Sequence, residues 1–298
     1  MYGEHGSVTA TCGPIHEYLG MRFDYSQPKK VIIDMIPYMQ KMVDEFPAKL
    51  SGKATSPAAA NLMAPSTGKL LDKHHREIYH TWSAKALFAC KRARPDIHPT
   101  VAALCCRVRA PTESDWDHLV RMMNYIKATV NDKLTLHAGT TNVCKWFVDA
   151  SFAVHPDFKS HTGAVMTMDG GAIQTVSRKQ KLNTRSSTEA ELVGADDVST
   201  PMLWTKYFLE AQDVVIDENI LHQDNKSTIL LLENGKRSSS QRTRAINIRY
   251  FFLTDQIEKG NLTVRYCPTM EMYGDFFTKP LQGKHFKEHA DWIMGRRK

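Results

Sequence analysis

The sequence has no long apolar run, no CxxC cysteine pair and no signal-like start. Its longest apolar stretches, ALFAC (residues 86–90) and VAALCC (residues 101–106), hold five or six residues, whereas a membrane-spanning helix needs about 20. The first residues lack a basic segment followed by an apolar core, so we expect no secretory signal. The six cysteines form neither CxxC nor a zinc-type Cys/His spacing, which favours reduced structural thiols. We therefore predict no membrane partner and no zinc site.

Positive charge is abundant instead, with a formal net charge of +7 over 298 residues. Basic side chains cluster at residues 91–94, 178–185 and 235–244 and at the C-terminal end. Each cluster alone is typical of a solvated surface. Two of them flank the acidic segment SSTEAELVGADD (residues 186–197) in the sequence. This arrangement favours a polyanionic partner whose phosphates lie across a carboxylate site.

Hydrophobic periodicity changes near residue 140. Before it, VIIDMIPYMQ turns from extended to helical, and three helices are predicted at about residues 73–92, 96–109 and 114–129. After it, three short strands in a row, with a turn at residues 169–171, precede a long helix over residues 187–211. A strand, two helices at residues 226–233 and 246–259, another strand and a helical tail follow. The order βββαβααβα predicts an α/β fold in which helices pack on a mixed sheet.

The acidic segment contains carboxylates of different kinds. Ser186 and Glu189 match a capping box, which is a sufficient structural reason for Glu189. Glu191 instead lies on the apolar stripe of the same helix, where it is the one charged residue. Asp196 and Asp197 project elsewhere, and we interpret both as solvated or locally paired. Only Glu191 therefore needs a further explanation.

Three aspartates raise a similar question. Asp149 lies in the middle of the apolar strand KWFVDASFAV, where an unpaired charge costs several kcal/mol. Asp224 ends a strand just before a helix, and its alternative role is that of the helix N-cap. The alternative for Asp275 is that of an ordinary acidic residue in the first turn of the last helix. Together with Glu191 they could converge at one end of a sheet. Close carboxylates repel each other, and a bound cation relieves this repulsion. Their oxygen ligands select hard ions such as Mg²⁺ or Mn²⁺. Two such ions can promote cleavage of a phosphodiester.

These segments resemble the ribonuclease H domain of copia-type LTR retrotransposon polyproteins. The resemblance covers about residues 145–281, in the order WFVDAS, HTGA, SRKQ, SSTEAELVGA, QDNKST, RTRAINIRYFF and YCPTMEMYGDFFTKPL. Upstream, HEYLGMRFDYS resembles the end of a reverse transcriptase palm, and the helical segments to residue 129 resemble its thumb and connection. The resemblance implies a mostly helical reverse transcriptase remnant over residues 1–140. It also implies an α/β, ribonuclease H-like domain over residues 141–298, with a mixed five-stranded sheet and flanking helices.

The implied activity is hydrolysis of the RNA strand of an RNA/DNA hybrid during reverse transcription, with two Mg²⁺ or Mn²⁺ ions as cofactors. The catalytic and metal-binding positions of the family fall on Asp149, Glu191, Asp224 and Asp275. Nucleic-acid contacts are expected from Arg178, Lys179, Lys181, Arg185, Asn225, Lys226, Arg242, Arg244 and Arg249. The implied partners are the hybrid and the palm and fingers of the same polyprotein. The implied location is cytoplasmic, in virus-like particles, with the nucleus left open.

The sequence departs from the family in several places. It contains no Tyr-x-Asp-Asp string, so we expect no complete reverse transcriptase activity from this chain alone. Ala245 stands where relatives commonly have His, no His lies between Tyr266 and Asp275, and Gly274 replaces a more helix-favouring Ala. A catalytically decayed nucleic-acid-binding remnant therefore stays open as the alternative. An integrase-like or transposase-like enzyme is disfavoured, because it would typically use three acidic residues and lack the TEAE and FTKPL blocks.

Overall fold

Two β-sheets organise the chain, and the computed structural model describes residues 12–235 and 247–297, except for the side chains of residues 247–251. The first sheet is antiparallel, with strand order β1–β2–β3–β4. Its strands are β1 (Ile15–Tyr18), β2 (Met21–Asp24), β3 (Lys30–Asp34) and β4 (Leu134–His137). The sequence did not predict β1, β2 or β4, because each has only four residues, and the alternation in MRFD and LTLH is too short to stand out from the surrounding sequence.

Four helices lie between β3 and β4, as the periodicity of the sequence predicted. They are α1 (Ile36–Asp44), α2 (Lys73–Cys90), α3 (His98–Cys105) and α4 (Glu113–Ala128). Local sequence explains two of the starts. The Asp72 carboxylate accepts a hydrogen bond from the His75 amide at 2.9 Å, and Thr112 forms a capping box with Asp115.

The second sheet has five strands in the order β7–β6–β5–β8–β9. Its strands are β5 (Val143–Ser151), β6 (His161–Thr167), β7 (Gln174–Lys179), β8 (Glu218–Gln223) and β9 (Thr263–Tyr266). The first three are antiparallel, whereas β5 pairs parallel to β8 and β8 parallel to β9. The flanking helices are α5 (Ser187–Glu210), α6 (Lys226–Asn234), α7 (Asn247–Glu258) and α8 (Gly283–Ile293). The expected mixed five-stranded sheet with flanking helices is therefore confirmed.

Helices cover both faces of this sheet. Alternate residues of a strand point to opposite faces, and in β5 Trp146 and Val148 pack in one buried cluster with Ala195 of α5. Phe147 belongs to another buried cluster, which also contains Leu104 of α3. Residues before and after position 140 thus share one hydrophobic core. Within the described ranges, none of the helices combines the length and the apolar composition that a membrane span requires.

Candidate metal centre

Three of the four predicted carboxylates converge where β5 and β8 approach their carboxyl ends. Phe147 of β5 pairs with His222 of β8 in the parallel register. Asp149 and Asp224 each follow these paired residues by two positions, so they lie side by side. Glu191 reaches the same place from the second turn of α5. Asp149 and Glu191 are buried and Asp224 is half-buried. One carboxylate oxygen from each of the three lies within 4.8 Å of the other two.

The fourth carboxylate, Asp275, lies beside Asp149 but outside that group of three. It belongs to a 3-10 helix, Tyr273–Phe277, which precedes α8, so its predicted place in the last helix was wrong. The Lys279 Nζ atom lies 2.8 Å from Asp275 Oδ1 and 4.0 Å from Asp149 Oδ2. One ammonium group therefore faces two of the four carboxylates.

Two glycines allow the 3-10 helix to approach the sheet. A Cβ atom at Gly274 would lie 2.9 Å from the backbone nitrogen of Asp149, and one at Gly163 of β6 would lie 2.6 Å from Thr278 Cγ2. A side chain at either position would push the segment away from the strands. Gly274, which the sequence marked only as a weak helix former, is thus required for the close contact between Asp275 and Asp149.

Neighbouring side chains orient the carboxylates. Gln223 Nε2 donates to Glu191 Oε2 at 3.2 Å, and Thr269 Oγ1 donates to Asp224 Oδ2 at 3.0 Å. The Thr278 hydroxyl donates to Asp149 Oδ2. These contacts limit rotation of the carboxylates, as the partners of metal ligands commonly do.

Asp224 is free of the capping role that the sequence left open for it. The N-cap of α6 is Asn225, whose side-chain oxygen accepts a hydrogen bond from the Thr228 amide at 3.1 Å. The Asp224 carboxylate instead turns toward Thr269, Asp149 and Glu191. Its position at the end of β8 therefore serves the acidic group.

The start of α5 separates its carboxylates as the helical pattern predicted. Ser186 caps the helix by accepting from the Glu189 amide at 3.2 Å. The Glu189 carboxylate accepts from the Arg185 amide at 2.6 Å, one residue before the predicted partner. Asp197 forms an ion pair with Arg178 at 2.6 Å, which confirms local pairing. Glu191 alone among the named carboxylates of α5 faces Asp149 and Asp224.

Burial and mutual repulsion shift the proton equilibria of the site. Burial, followed by the charge of Asp275, raises the pKa of Asp149 to about 7, although Lys279 and Thr278 act in the opposite direction. Burial, followed by the charge of Asp149, raises the pKa of Glu191 well above its ordinary value. The negative charge is therefore poorly compensated by the protein itself. A divalent cation bound by oxygen ligands would relieve this repulsion.

Comparison with known proteins places the chain among retrotransposon polyproteins. The retrovirus-related Pol polyprotein from transposon TNT 1-94 of Nicotiana tabacum is 27% identical over 282 residues, which cover 92% of this chain and 21% of that protein. The corresponding protein from transposon RE1 of Arabidopsis thaliana is 31% identical over 202 residues, 67% of this chain and 14% of that protein. The chain is a homologue of copia-type retrotransposon Pol polyproteins. The transposon Ty1-JR2 Gag-Pol polyprotein of Saccharomyces cerevisiae, 24% identical over 289 residues, covers 91% of the chain.

The chain spans only 14% to 21% of the length of these Pol relatives. No protein-family model matches the sequence. Among solved structures, LC11-RNase H1 isolated from compost is similar to this chain at 13% sequence identity and a TM-score of 0.33. The similarity covers 43% of this chain and 86% of the LC11-RNase H1 chain.

The basic residues that the sequence predicts to contact nucleic acid lie in different parts of the structure, and the first set precedes α5. Arg178 forms the ion pair with α5, and Lys179 forms another with Asp157 at 2.6 Å. Lys181 and Arg185 are exposed in the loop before α5. The structure therefore leaves part of the predicted basic surface engaged in local pairs.

Further predicted contacts lie near Asp224. Asn225 caps α6, and exposed Lys226 places its Nζ atom 5.1 Å from the ring centroid of Tyr266, which is also exposed. Three predicted contacts lie outside the described part of the chain: Arg242, Arg244 and the side chain of Arg249.

Sequence reasoning missed the residues that hold the carboxylates in place: Gln223, Thr269, Thr278 and Lys279. Gln223 directly precedes Asp224, and the last two belong to the FTKPL block. That block was the available signal, but it did not indicate which partners its side chains contact.

Proposed function

We propose that the chain is a metal-dependent endoribonuclease that cleaves the RNA strand of RNA/DNA hybrids during retrotransposon reverse transcription. The observation that carries this proposal is the convergence of Asp149, Glu191 and Asp224, with oxygens within 4.8 Å of one another. Homology with Pol polyproteins supports a substrate made of nucleic acid. The mixed sheet supports the same reaction class, because it brings both aspartates to one end of adjacent parallel strands.

The residues fit a site for hard divalent ions. Carboxylate oxygens are the ligands that Mg²⁺ and Mn²⁺ prefer, and burial without full charge compensation favours a cation at this place. Asp149, Glu191, Asp224 and Asp275 would hold two such ions. Ions held by these residues would supply the activation of a water molecule and the stabilisation of the leaving oxygen of the phosphodiester.

The protein residues around the ligands would provide orientation. Gln223 fixes one oxygen of Glu191, Thr269 fixes one of Asp224, and Thr278 fixes one of Asp149. An ionised carboxylate has about four lone-pair sites, so each of these groups keeps acceptor capacity for ligation. A site that is already oriented loses less conformational freedom when substrate binds.

Exposed basic residues near the acidic group would bind the hybrid through its phosphates. Lys226 follows Asp224 by two residues, and Arg185 lies just before α5. Contacts with the backbone position a duplex without reading its sequence. Helix shape and the 2′-hydroxyl groups would distinguish the RNA strand from the DNA strand.

We further propose that residues 1–140 correspond to the end of a reverse transcriptase and residues 141–298 to its ribonuclease H-like part. The two sheets support this division, because β4 closes the first at residue 137 and β5 opens the second at residue 143. The remaining palm and fingers of a Pol polyprotein are the proposed protein partner. Cytoplasmic particles are the proposed location, in keeping with the family.

Cleavage of a labelled RNA/DNA hybrid tests the activity. The purified chain is incubated with the hybrid in Mg²⁺ or Mn²⁺, beside Asp224→Asn and the control Asp213→Asn. Asp213 is exposed and has a positive φ of 62°, which Asn tolerates. We expect RNA fragments from wild type and the control, and a large loss with Asp224→Asn.

Two results would contradict the proposal in different ways. Binding of the hybrid without metal-dependent cleavage by wild type would favour the decayed nucleic-acid-binding remnant. Equal cleavage by wild type and Asp224→Asn would show that the reaction occurs elsewhere or comes from a contaminant.

A further inference from the structure

Lys279 occupies an unusual place in the acidic site. Its ammonium nitrogen lies 2.8 Å from Asp275 Oδ1 and 4.0 Å from Asp149 Oδ2, while the group of three carboxylates is formed by Asp149, Glu191 and Asp224. The site is therefore asymmetric. One side consists of carboxylates alone, and the other already contains a cation supplied by the protein.

The backbone holds Lys279 close to this pair. Its amide donates to the Asp275 carbonyl at 3.1 Å, and the Thr278 hydroxyl lies 3.2 Å from the same carbonyl. The carboxylates that Lys279 faces are shielded, with side-chain exposures of 6% for Asp149 and 16% for Asp275, whereas Lys279 itself is 45% exposed. Its long flexible stem can thus swing toward solvent while the carboxylates stay in place.

We propose that Lys279 competes with a divalent cation for the Asp149–Asp275 pair. This inference rests on the proposed function, because it concerns the same metal site. A divalent ion bound to both carboxylates would need the space and the oxygens that the ammonium group now uses, and like charges at this distance repel. Glu191 and Asp224, the other two members of the group of three, form no ion pair with any described residue and are held by the neutral side chains of Gln223 and Thr269, so a first ion binds beside them more readily.

A nucleic-acid phosphate offers the displaced ammonium group another anion. Lys is a compact point charge that pairs readily with phosphate. Binding of the hybrid would therefore draw Lys279 away from Asp149 and Asp275 and complete the site for the second ion. Lys279 in this role is a positioning residue, because it acts through the carboxylates.

Titration of Mn²⁺ into the full chain by calorimetry, without nucleic acid, tests the competition. We compare wild type with Lys279→Met, which keeps the length of the side chain and removes its charge, and with Lys279→Arg, which keeps the charge. The matched control is Lys284→Met. It breaks another pair with i,i+4 spacing, between Lys284 and Glu288 at 3.8 Å on α8.

We expect Lys279→Met to strengthen the weaker Mn²⁺ site roughly tenfold, or to reveal a second site, because it removes a partly screened charge. Lys279→Arg and Lys284→Met should behave like wild type. A purely structural role would instead leave Mn²⁺ affinity unchanged or weaken it. Equal Mn²⁺ binding by wild type and Lys279→Met, alongside hybrid cleavage by wild type, would overturn the competition and leave the proposed function intact. Absence of both Mn²⁺ binding and cleavage in every protein would overturn both.

Discussion

Asp149 is the residue around which the acidic site is arranged. It shares the group of three with Glu191 and Asp224, receives a hydrogen bond from Thr278 and lies next to Asp275. Its carboxylate is buried in the middle of the sheet, where charge is costly without a partner. In the metal-free protein this residue should therefore reduce stability, and ligation should reverse the effect.

The pH dependence of metal-free stability follows from the pKa of Asp149. Burial raises that pKa to about 7, whereas an unfolded Asp titrates near about 3.9. The folded protein thus binds this proton more tightly, and stability falls as the pH rises from about 4 to about 7. We expect Asp149→Asn to increase the free energy of unfolding in EDTA by a few kcal/mol at pH 8 and by less at pH 5, since one pKa unit corresponds to about 1.4 kcal/mol.

Urea denaturation at both pH values measures this difference, with Asp213→Asn as the control. Addition of Mn²⁺ should stabilise wild type and leave Asp149→Asn nearly unchanged. A variant that is less stable than wild type at pH 8 in EDTA would refute the inferred repulsion.

The sequence could identify the carboxylates but not their supports. Glu191 was recognisable because it interrupts an apolar stripe, and Asp149 because it interrupts an apolar strand. The Thr278 contact with Asp149 spans 129 residues of sequence, and no local pattern encodes so distant a contact. The same holds for Lys279, whose role depends on where the 3-10 helix lies on the sheet.

Among the elements, the 3-10 helix Tyr273–Phe277 determines whether the fourth carboxylate reaches the site. Its approach to β5 depends on Gly274, where a Cβ atom would lie 2.9 Å from the Asp149 nitrogen and 3.1 Å from the Phe147 carbonyl oxygen. Both neighbours are backbone atoms of a central strand, so neither can move easily. The helix itself must shift if a side chain is added.

We expect Gly274→Ala to reduce stability by about 1–3 kcal/mol through overpacking and to weaken the Mn²⁺ site that involves Asp275. Thermal denaturation and Mn²⁺ calorimetry measure the two effects. The matched control is Gly194→Ala in α5, where the added Cβ would meet Ala150 at an ordinary 3.5 Å. That variant should be neutral or more stable by up to about 1 kcal/mol. Unchanged stability and metal binding in Gly274→Ala would contradict the steric role of this glycine.

The long helix α5 and the strands β5 to β8 were predictable because burial imposes a clear pattern on them. All seven residues of β6 are buried, and α5 was predicted to within one residue of its observed end. The short strands of the first sheet, such as β1 and β2 with four residues each, are too short for such a pattern to identify them. Their pairing comes from tertiary contacts, for example Lys30 with His137 across more than 100 residues.

The whole molecule is held together by a core that crosses the proposed division near residue 140. Phe147, Val165 and Phe277 share one buried cluster with Ile97 and Leu104 of the first part. The two sheets are also joined by the hydrogen bond from the His137 amide to the Gly170 carbonyl at 3.0 Å. Separation of the parts would expose the portion of one apolar face of the five-stranded sheet that residues of the first part cover, while α8 stays packed on the rest.

We therefore expect the full chain to unfold in one cooperative transition, with coincident signals from circular dichroism and tryptophan fluorescence. A fragment of residues 141–298 should bind a hydrophobic dye and be less stable than the full chain, because its sheet loses the contacts with the helices of the first part. Two separate transitions in the full chain, together with a well-folded fragment, would show that the shared core contributes little.

Strand-resolved cleavage of an RNA/DNA hybrid, labelled on both strands, is the decisive measurement. It compares wild type with Asp149→Asn, Glu191→Gln, Asp224→Asn and Asp275→Asn in Mg²⁺ and in EDTA. We expect wild type to fragment only the RNA strand and only with metal, and each variant to lose at least about a hundredfold in rate, because each removes a metal ligand. Cleavage in EDTA, cleavage of the DNA strand, or variants as active as wild type would contradict a metal-dependent ribonuclease at these four carboxylates.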